Sequence, residues 1–391
     1  MNIEIGSLLV AGAISLGETL LNELKNYLDN KKNWGQETNL KLSEDAKVEV
    51  LEGERKILGQ YTDIYQIRNG EIYKFNNNVE PEYIGNTELE NGIYRKNENN
   101  EYQLDINLNQ EINNKISEMK NDIILKEKNW AVMYHLSQQR ENILEWYPIT
   151  KEDSVLEIGA GCGAISGVLA KKAGRVVAND LSKMRSSINA WKNKEAENLE
   201  IVVGNFNTVS DNLTETFDYV TLIGVFEYAK TYIQEEEPYR VFLDKINRHL
   251  KPNGKILMAI ENKLGLKYFA GCKEEHVGRM FEGIEGYKNT SGVETFSKRE
   301  LEKLLDANGY HNYRFYYPYP DYKFATTIYS DSYLPKKGEL RNNRRNFDAE
   351  RLLLFDEGLA FDTMISAELF PHFSNSFFVE IQKKEENNGK R

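Results

Sequence analysis

The chain has 391 residues, 40% of them hydrophobic and 11% aromatic, which allows two or three domains, or one domain with additions, around a real core. A formal net charge of −11 argues against a general binder of nucleic acid or of anionic membrane. The two cysteines, Cys162 and Cys272, form no Cys-x-x-Cys pair and no Cys/His cluster, which predicts a reduced, cytoplasmic protein without structural zinc or another bound metal.

Residues 3–24 are apolar, but Glu4, Glu18 and Glu23 interrupt them and no basic segment leads into them. The uncharged run is too short to span a bilayer, so membrane insertion is not expected. A packed helix over 1–32 is the expectation, at a subunit contact that would give a homodimer. The period then falls towards two. Residues 63–68 and 71–75 flank Asn69-Gly70 and read as a hairpin, and 93–96 with 101–106 suggest a second. Residues 109–147 read as helical. Residues 155–158 form a short apolar strand that runs into Gly159-Ala160-Gly161-Cys162-Gly163, with a helix from 164 to 171. Glycines at alternate positions let the backbone turn sharply and lie against a ligand, and a side chain at Gly159 or Gly161 is expected to fill the ligand's space. The spacing is not the G-x-G-x-x-G of dinucleotide enzymes. Glu157, two residues before the first glycine, suits an amino-acid-like cation better than a pyrophosphate. A second strand, Arg175–Asp180, ends in an acid 21 residues after Gly159, where doubly wound folds place the carboxylate that accepts ribose hydroxyls. Further strands are predicted at Leu199–Val203, Phe217–Ile223 and 255–260, with a helix over 239–250 that ends at the turn signal Lys251-Pro252-Asn253-Gly254.

The run from Glu157 to Gly163, followed by Asp180, resembles the class I S-adenosylmethionine-dependent methyltransferases. The resemblance implies an α/β fold, a Rossmann-like sheet with helices on both faces. Around it are expected a small N-terminal α+β region (1–120), a core with its leading helix (121–330) and a C-terminal extension that completes or covers the core (331–391). It implies S-adenosylmethionine as cofactor, held by Glu157, Gly159, Ala160, Gly161, Gly163, Asp180 and Leu181. In many such enzymes the leading helix covers the cofactor's methionine end, which would set Tyr134 and Arg140 against its carboxylate; ordinary helix packing is the alternative. The position after the third strand commonly carries an acid that reads the adenine amino group. Here it is Asn205, whose amide can still accept, and Phe206 stacks on adenine or packs. Ile223, Gly224 and Glu227, after the fourth strand, complete the expected cofactor set. Tyr134-His135-Leu136-Ser137, the run 261–278, the run 315–323 and 373–377 resemble one bacterial branch of this class, associated with surface-glycan gene neighbourhoods. That resemblance covers about 130–381.

The run 261–278 is long for a connection and rich in polar and aromatic residues, so it is expected to be an active-site loop or lid. Pro318 and Pro320 exclude a central strand at 313–323 and predict a rigid aromatic loop lining a pocket or, equally, a packed surface turn. Methyl transfer to a hydroxyl benefits from a general base. His276 is the first candidate, with Glu275, Glu261, Tyr317 and Asp321 as alternatives and an exposed loop histidine as the plain reading. Lys336, Lys337, Arg341, Arg344 and Arg345 form a basic cluster that holds a substrate phosphate or is simply solvated. The expected acceptor is a small molecule or glycan, methylated on oxygen. Methylation on nitrogen and a non-catalytic cofactor-binding partner subunit stay open. A nicotinamide oxidoreductase is disfavoured by the glycine spacing and by Glu157.

Overall fold

A computed structural model describes residues 130–343 and 353–384 and, between 49 and 104, only the backbone pairing of short strands. Asp63–Arg68 pairs antiparallel with Glu71–Asn76, Arg68 opposite Glu71, and Tyr94–Lys96 pairs with Tyr102–Leu104. Both expected hairpins are therefore present. The helix expected over 1–32 and the leading-helix residues before 130 lie outside the described residues.

The main sheet contains β1 (Ser154–Ile158), β2 (Arg175–Asp180), β3 (Leu199–Val203), β4 (Phe217–Ile223), β5 (Leu250–Glu261), β6 (Tyr313–Tyr319), β7 (Thr327–Ser330) and β8 (Ser376–Gln382). Their order is β7-β6-β8-β5-β4-β1-β2-β3. Strands β1 to β5 run parallel, whereas β8 is antiparallel to both β5 and β6. The parallel strands are nearly continuous runs of Val, Ile, Leu and Ala because both faces of the sheet are covered. Val155, Val176, Ile201 and Ala259 pack on one face with Ile143, Leu144, Val168 and Leu169. Leu156, Val177, Val202 and Met258 pack on the other with Val209, Phe242, Leu301 and Phe361. The expected layers, helices on both sides of the sheet, follow from this alternation.

The strand order reverses between β1 and β4, which leaves a crevice beyond their carboxyl ends. Gly159 and Gly224 both follow strands into that crevice, each with positive φ, +74° and +72°.

Two readings of local sequence are corrected. Tyr313–Tyr319 is a strand, not an aromatic loop. It pairs with β8 through Tyr316 and with β7 from Tyr316 onward, so Pro318, opposite Ile328, sits where the strand has only one neighbour. A proline is tolerated there because no ladder bond is required on its other side. The turn signal at Lys251–Gly254 lies inside β5 as a bulge, between the pairs Phe217/Leu250 and Tyr219/Lys255.

Candidate active site

The glycine turn is held from below. The N–H groups of Gly159 and Ala160 donate to Asn179 O at 2.8 and 3.0 Å, and Gly161 N donates to Asp180 Oδ2 at 2.9 Å. The three glycines differ in what they face. A Cβ on Gly159 would run into Val225, and one on Gly163 into Asn189, whereas one on Gly161 would meet nothing within 4 Å. Only Gly161 borders open space, so the expectation that Gly159 clears the ligand is corrected: it clears the β4 loop. The helix after the turn, Ser166–Lys172, begins two residues later than predicted and has no side-chain cap.

Glu157 is buried, and Ser166 Oγ donates to its Oε2 at 2.6 Å while accepting from Asn189 Nδ2 at 2.8 Å. Burial pushes the Glu157 carboxyl up to about 7; the Ser166 bond opposes this, and the neighbouring charge of Asp180 adds to it. Asp180 is also buried. Its Oδ1 accepts from Ser182 N at 2.8 Å and pairs with Arg185 at 3.0 Å. Ala160 and Ile223 are buried and Leu181 is half-buried beside these groups.

The residues after β3 have other duties. Asn205 Oδ1 accepts from Asn207 N at 3.0 Å, capping the helix Phe206–Asn212. Phe206 is buried against Phe242 and His249, with ring centroids 5.7 and 6.1 Å away. It is a core residue, the packing role of the two expected for it.

At the far end of the crevice the leading helix breaks at Ser137 into a short turn that buries Arg140. Arg140 donates to Lys323 O at 3.0 Å and to the Tyr134 hydroxyl at 3.1 Å, while its Nε has no partner. Its guanidinium lies 4.2 Å from the Tyr134 ring and 5.9 Å from that of Tyr322. A Cβ on Gly224 would strike the Tyr322 hydroxyl, so this group borders the β4 loop.

Beside it lies a buried ionic network. His276 Nδ1 is 2.7 Å from Glu274 Oε1, and its Nε2 is 3.4 Å from Glu227 Oε1 and 3.8 Å from Glu261 Oε2. Lys323 Nζ bridges Glu261 and Glu275, and Lys267 Nζ also bonds Glu275 and lies 3.7 Å from Asp321. The run 261–278 thus brings Glu261, Glu275 and His276 together with Glu227 at the carboxyl ends of β4 and β5.

The electrostatics correct the proton-transfer assignments. Burial alone would lower the His276 pKa, but hydrogen bonds to Glu227 and Glu274 and the charge of Glu261 raise it well above the usual imidazole value. A raised pKa favours the protonated imidazole, which works against the role of base. Burial opposes ionisation of Glu275 too, yet Lys267 and Lys323 hold its carboxyl well below the usual range, so it is a poor proton acceptor. Glu261 is raised, chiefly by burial. Tyr317 is not part of the group: its ring packs against Phe370 and Phe377 and its hydroxyl donates to Asp331. Lys323 and Glu274, for which the sequence suggested no role, organise the network; the only local signal was their place next to Asp321-Tyr322 and Glu275-His276. In the basic cluster Arg341 pairs with Asp362 at an exposed site, and Arg344 and Arg345 lie outside the described residues.

Residues 132–314 match the family model described as a methyltransferase domain. One curated relative is the cypemycin N-terminal methyltransferase of a Streptomyces species, 38% identical over 103 residues. The match spans 26% of this chain and 39% of that relative's length. Among solved structures, a SAM-dependent methyltransferase from Archaeoglobus fulgidus is 13% identical with a TM-score of 0.41, over 64% of this chain and 96% of that one. Phosphoethanolamine N-methyltransferase 1 of Haemonchus contortus, solved with phosphoethanolamine and S-adenosylhomocysteine, is 14% identical with a TM-score of 0.39, over 72% and 50%. No helix among the described residues is long and apolar enough to cross a membrane.

Proposed function

We propose that the whole chain is an S-adenosylmethionine-dependent methyltransferase that acts in the cytoplasm on a hydroxyl of a small molecule or glycan. The carrying observation is Gly161, left-handed at φ +56° and open on the side where a Cβ would stand, with its N–H bound to Asp180. These residues fit the cofactor: Gly161 leaves room for it, Asp180 keeps a lone pair on Oδ2 for a ribose hydroxyl, and the unpartnered Arg140 Nε suits its carboxylate. Bound S-adenosylmethionine supplies an activated methyl group on a sulfonium. The protein's part is then to orient the acceptor and exclude water. The preference for a glycan rests on the resemblance described above, and residues 1–120 are assigned to acceptor recognition or to a homodimer contact. Methylation on nitrogen is the second reading, favoured by the buried carboxylates of Glu227 and Glu261, which suit an amine.

Calorimetric titration with S-adenosylmethionine, S-adenosylhomocysteine and NAD tests the cofactor assignment. Asp180→Asn should weaken S-adenosylmethionine binding by about 10- to 100-fold, the worth of hydrogen bonds to a charged acceptor. Unchanged affinity in the folded variant would remove Asp180 from the site. Labelled methyl transfer into a cell extract, followed by identification of the product bond, distinguishes oxygen from nitrogen.

A further inference from the structure

We propose that Glu227, Glu261 and His276 bind one divalent transition-metal ion at the carboxyl ends of β4 and β5. The first observation is geometric. One donor atom from each residue lies within 4.8 Å of the others, with His276 Nε2 at 3.4 Å from Glu227 Oε1 and 3.8 Å from Glu261 Oε2. An ion about 2.0–2.2 Å from each donor in a tetrahedral site sets its ligands roughly 3.3–3.6 Å apart, so the two histidine–carboxylate distances already stand near ligand spacing.

The second observation concerns unmet charge. Glu261 is 0% exposed and Glu227 1%, yet Oε2 of each has no hydrogen-bond donor. Lys323 serves only the other oxygen of Glu261. A buried carboxylate oxygen without a hydrogen-bond partner is costly, and a cation bound among these atoms removes that cost. One such oxygen, Glu261 Oε2, is the proposed ligand atom of that residue.

The surroundings of His276 are those of a ligand imidazole. Its Nδ1 faces Glu274, and Glu274 is fixed in turn by the N–H groups of His276 and Val277 at 2.8 and 2.9 Å and by the Tyr287 hydroxyl at 3.1 Å. A carboxylate on Nδ1 sets the tautomer and turns Nε2 towards the ion. Ion binding displaces the Nε2 proton to solvent. One imidazole with two carboxylates suits Mn²⁺, Fe²⁺, Co²⁺ or Zn²⁺ better than Mg²⁺ or Ca²⁺, which prefer oxygen alone. The expectation of no metal rested on cysteine and histidine spacing, whereas these three donors come from segments that only the fold brings together.

The site's role rests on the methyltransferase reading: three protein ligands leave a position for an acceptor oxygen, which the ion would polarise. Binding itself does not depend on that reading. The test uses the full chain after chelator treatment, titrated with Co²⁺ by visible spectroscopy and with Mn²⁺ and Zn²⁺ by calorimetry, without cofactor. One equivalent should bind with release of a proton, and the Co²⁺ spectrum should show nitrogen and oxygen ligation with no thiolate charge-transfer band. Glu261→Gln and His276→Gln should each lose more than about 100-fold in affinity, and Glu274→Gln about 10- to 100-fold. Circular dichroism establishes that each variant is folded, and the wild-type cobalt spectrum tests the donor set without any variant. Failure of wild type to bind any of the three ions at millimolar concentration would overturn the proposal, as would binding that Glu261→Gln and His276→Gln leave unchanged. S-adenosylmethionine titrated into the same metal-free protein separates the two readings. Cofactor binding without ion binding sinks the metal site alone; ion binding without cofactor binding sinks the methyltransferase reading alone.

Discussion

The glycines of the turn look alike in sequence and do different work. Gly159→Ala sets a methyl group against Val225 at φ +74°, so it should destabilise the fold, seen as a lowered Tm. Gly161→Ala adds its methyl to open space, at a backbone cost of about 1–2 kcal/mol for the left-handed conformation. Its larger effect should be on S-adenosylmethionine affinity. If both variants lower Tm equally and neither alters affinity, Gly161 does not border the cofactor. Glu157 gives a pH prediction. Its folded pKa, about 7, lies above its ordinary value of 4.5, so between those values the folded state holds a proton that the unfolded chain has lost. Stability should therefore fall as pH rises from about 4.5 to 7 and level off above, by at most about 3 kcal/mol. Denaturant titrations of Glu157→Gln across that range should lose this slope, and at pH 8 the variant should be at least as stable as wild type. An unchanged slope would mean another group carries it.

At the scale of elements, the run 261–278 and the stretch after β6 are joined by charge. Lys323 is buried and bonded to Glu261 and Glu275. Lys323→Met keeps most of the volume but leaves two buried carboxylates short of a cation, which should cost about 3–5 kcal/mol in urea unfolding. A loss under about 1 kcal/mol would show that water or Lys267 replaces the ammonium. The same network explains why local reasoning misjudged the titrating groups. In a polar loop His276 and Glu275 read as alternative bases. The pKa of His276 is raised by Glu227 and Glu261, which stand 49 and 15 residues earlier in the chain, as well as by Glu274 close by.

For the whole molecule, the last strand is the closing piece. Residues of β8 pair with β5 from Lys255/Gln382 to Glu261/Ser376 and with β6 from Tyr313/Ile381 to Tyr316/Phe378. Phe377, Val379 and Ile381 are fully buried. A chain ending before residue 376 should lose cooperative unfolding, because β5 and β6 then expose unpaired edges and apolar faces. Near-ultraviolet circular dichroism and a denaturant titration check this; a cooperative transition in the truncated chain would contradict it. The C-terminal extension is thus part of the sheet, and Asn375, just before β8, donates to Pro320 O at 3.0 Å beside the ionic network.

The sequence alone determined the parallel half of the sheet, because strands buried on both faces are written as unbroken apolar runs, and it located the glycine turn and Asp180, because both lie at strand ends. It also marked the two hairpins, whose pairing is local. Only the tertiary structure decided what each polar residue faces. Phe206 and Tyr317 went to the core because helix and strand neighbours surround them. Pro318 entered a strand because its partner on one side had already ended. The pKa values of Glu261, Glu274, His276 and Lys323 are shifted by charges brought together from β4, β5 and the segment after β6, and such coupling depends on distances in space that spacing along the chain does not carry.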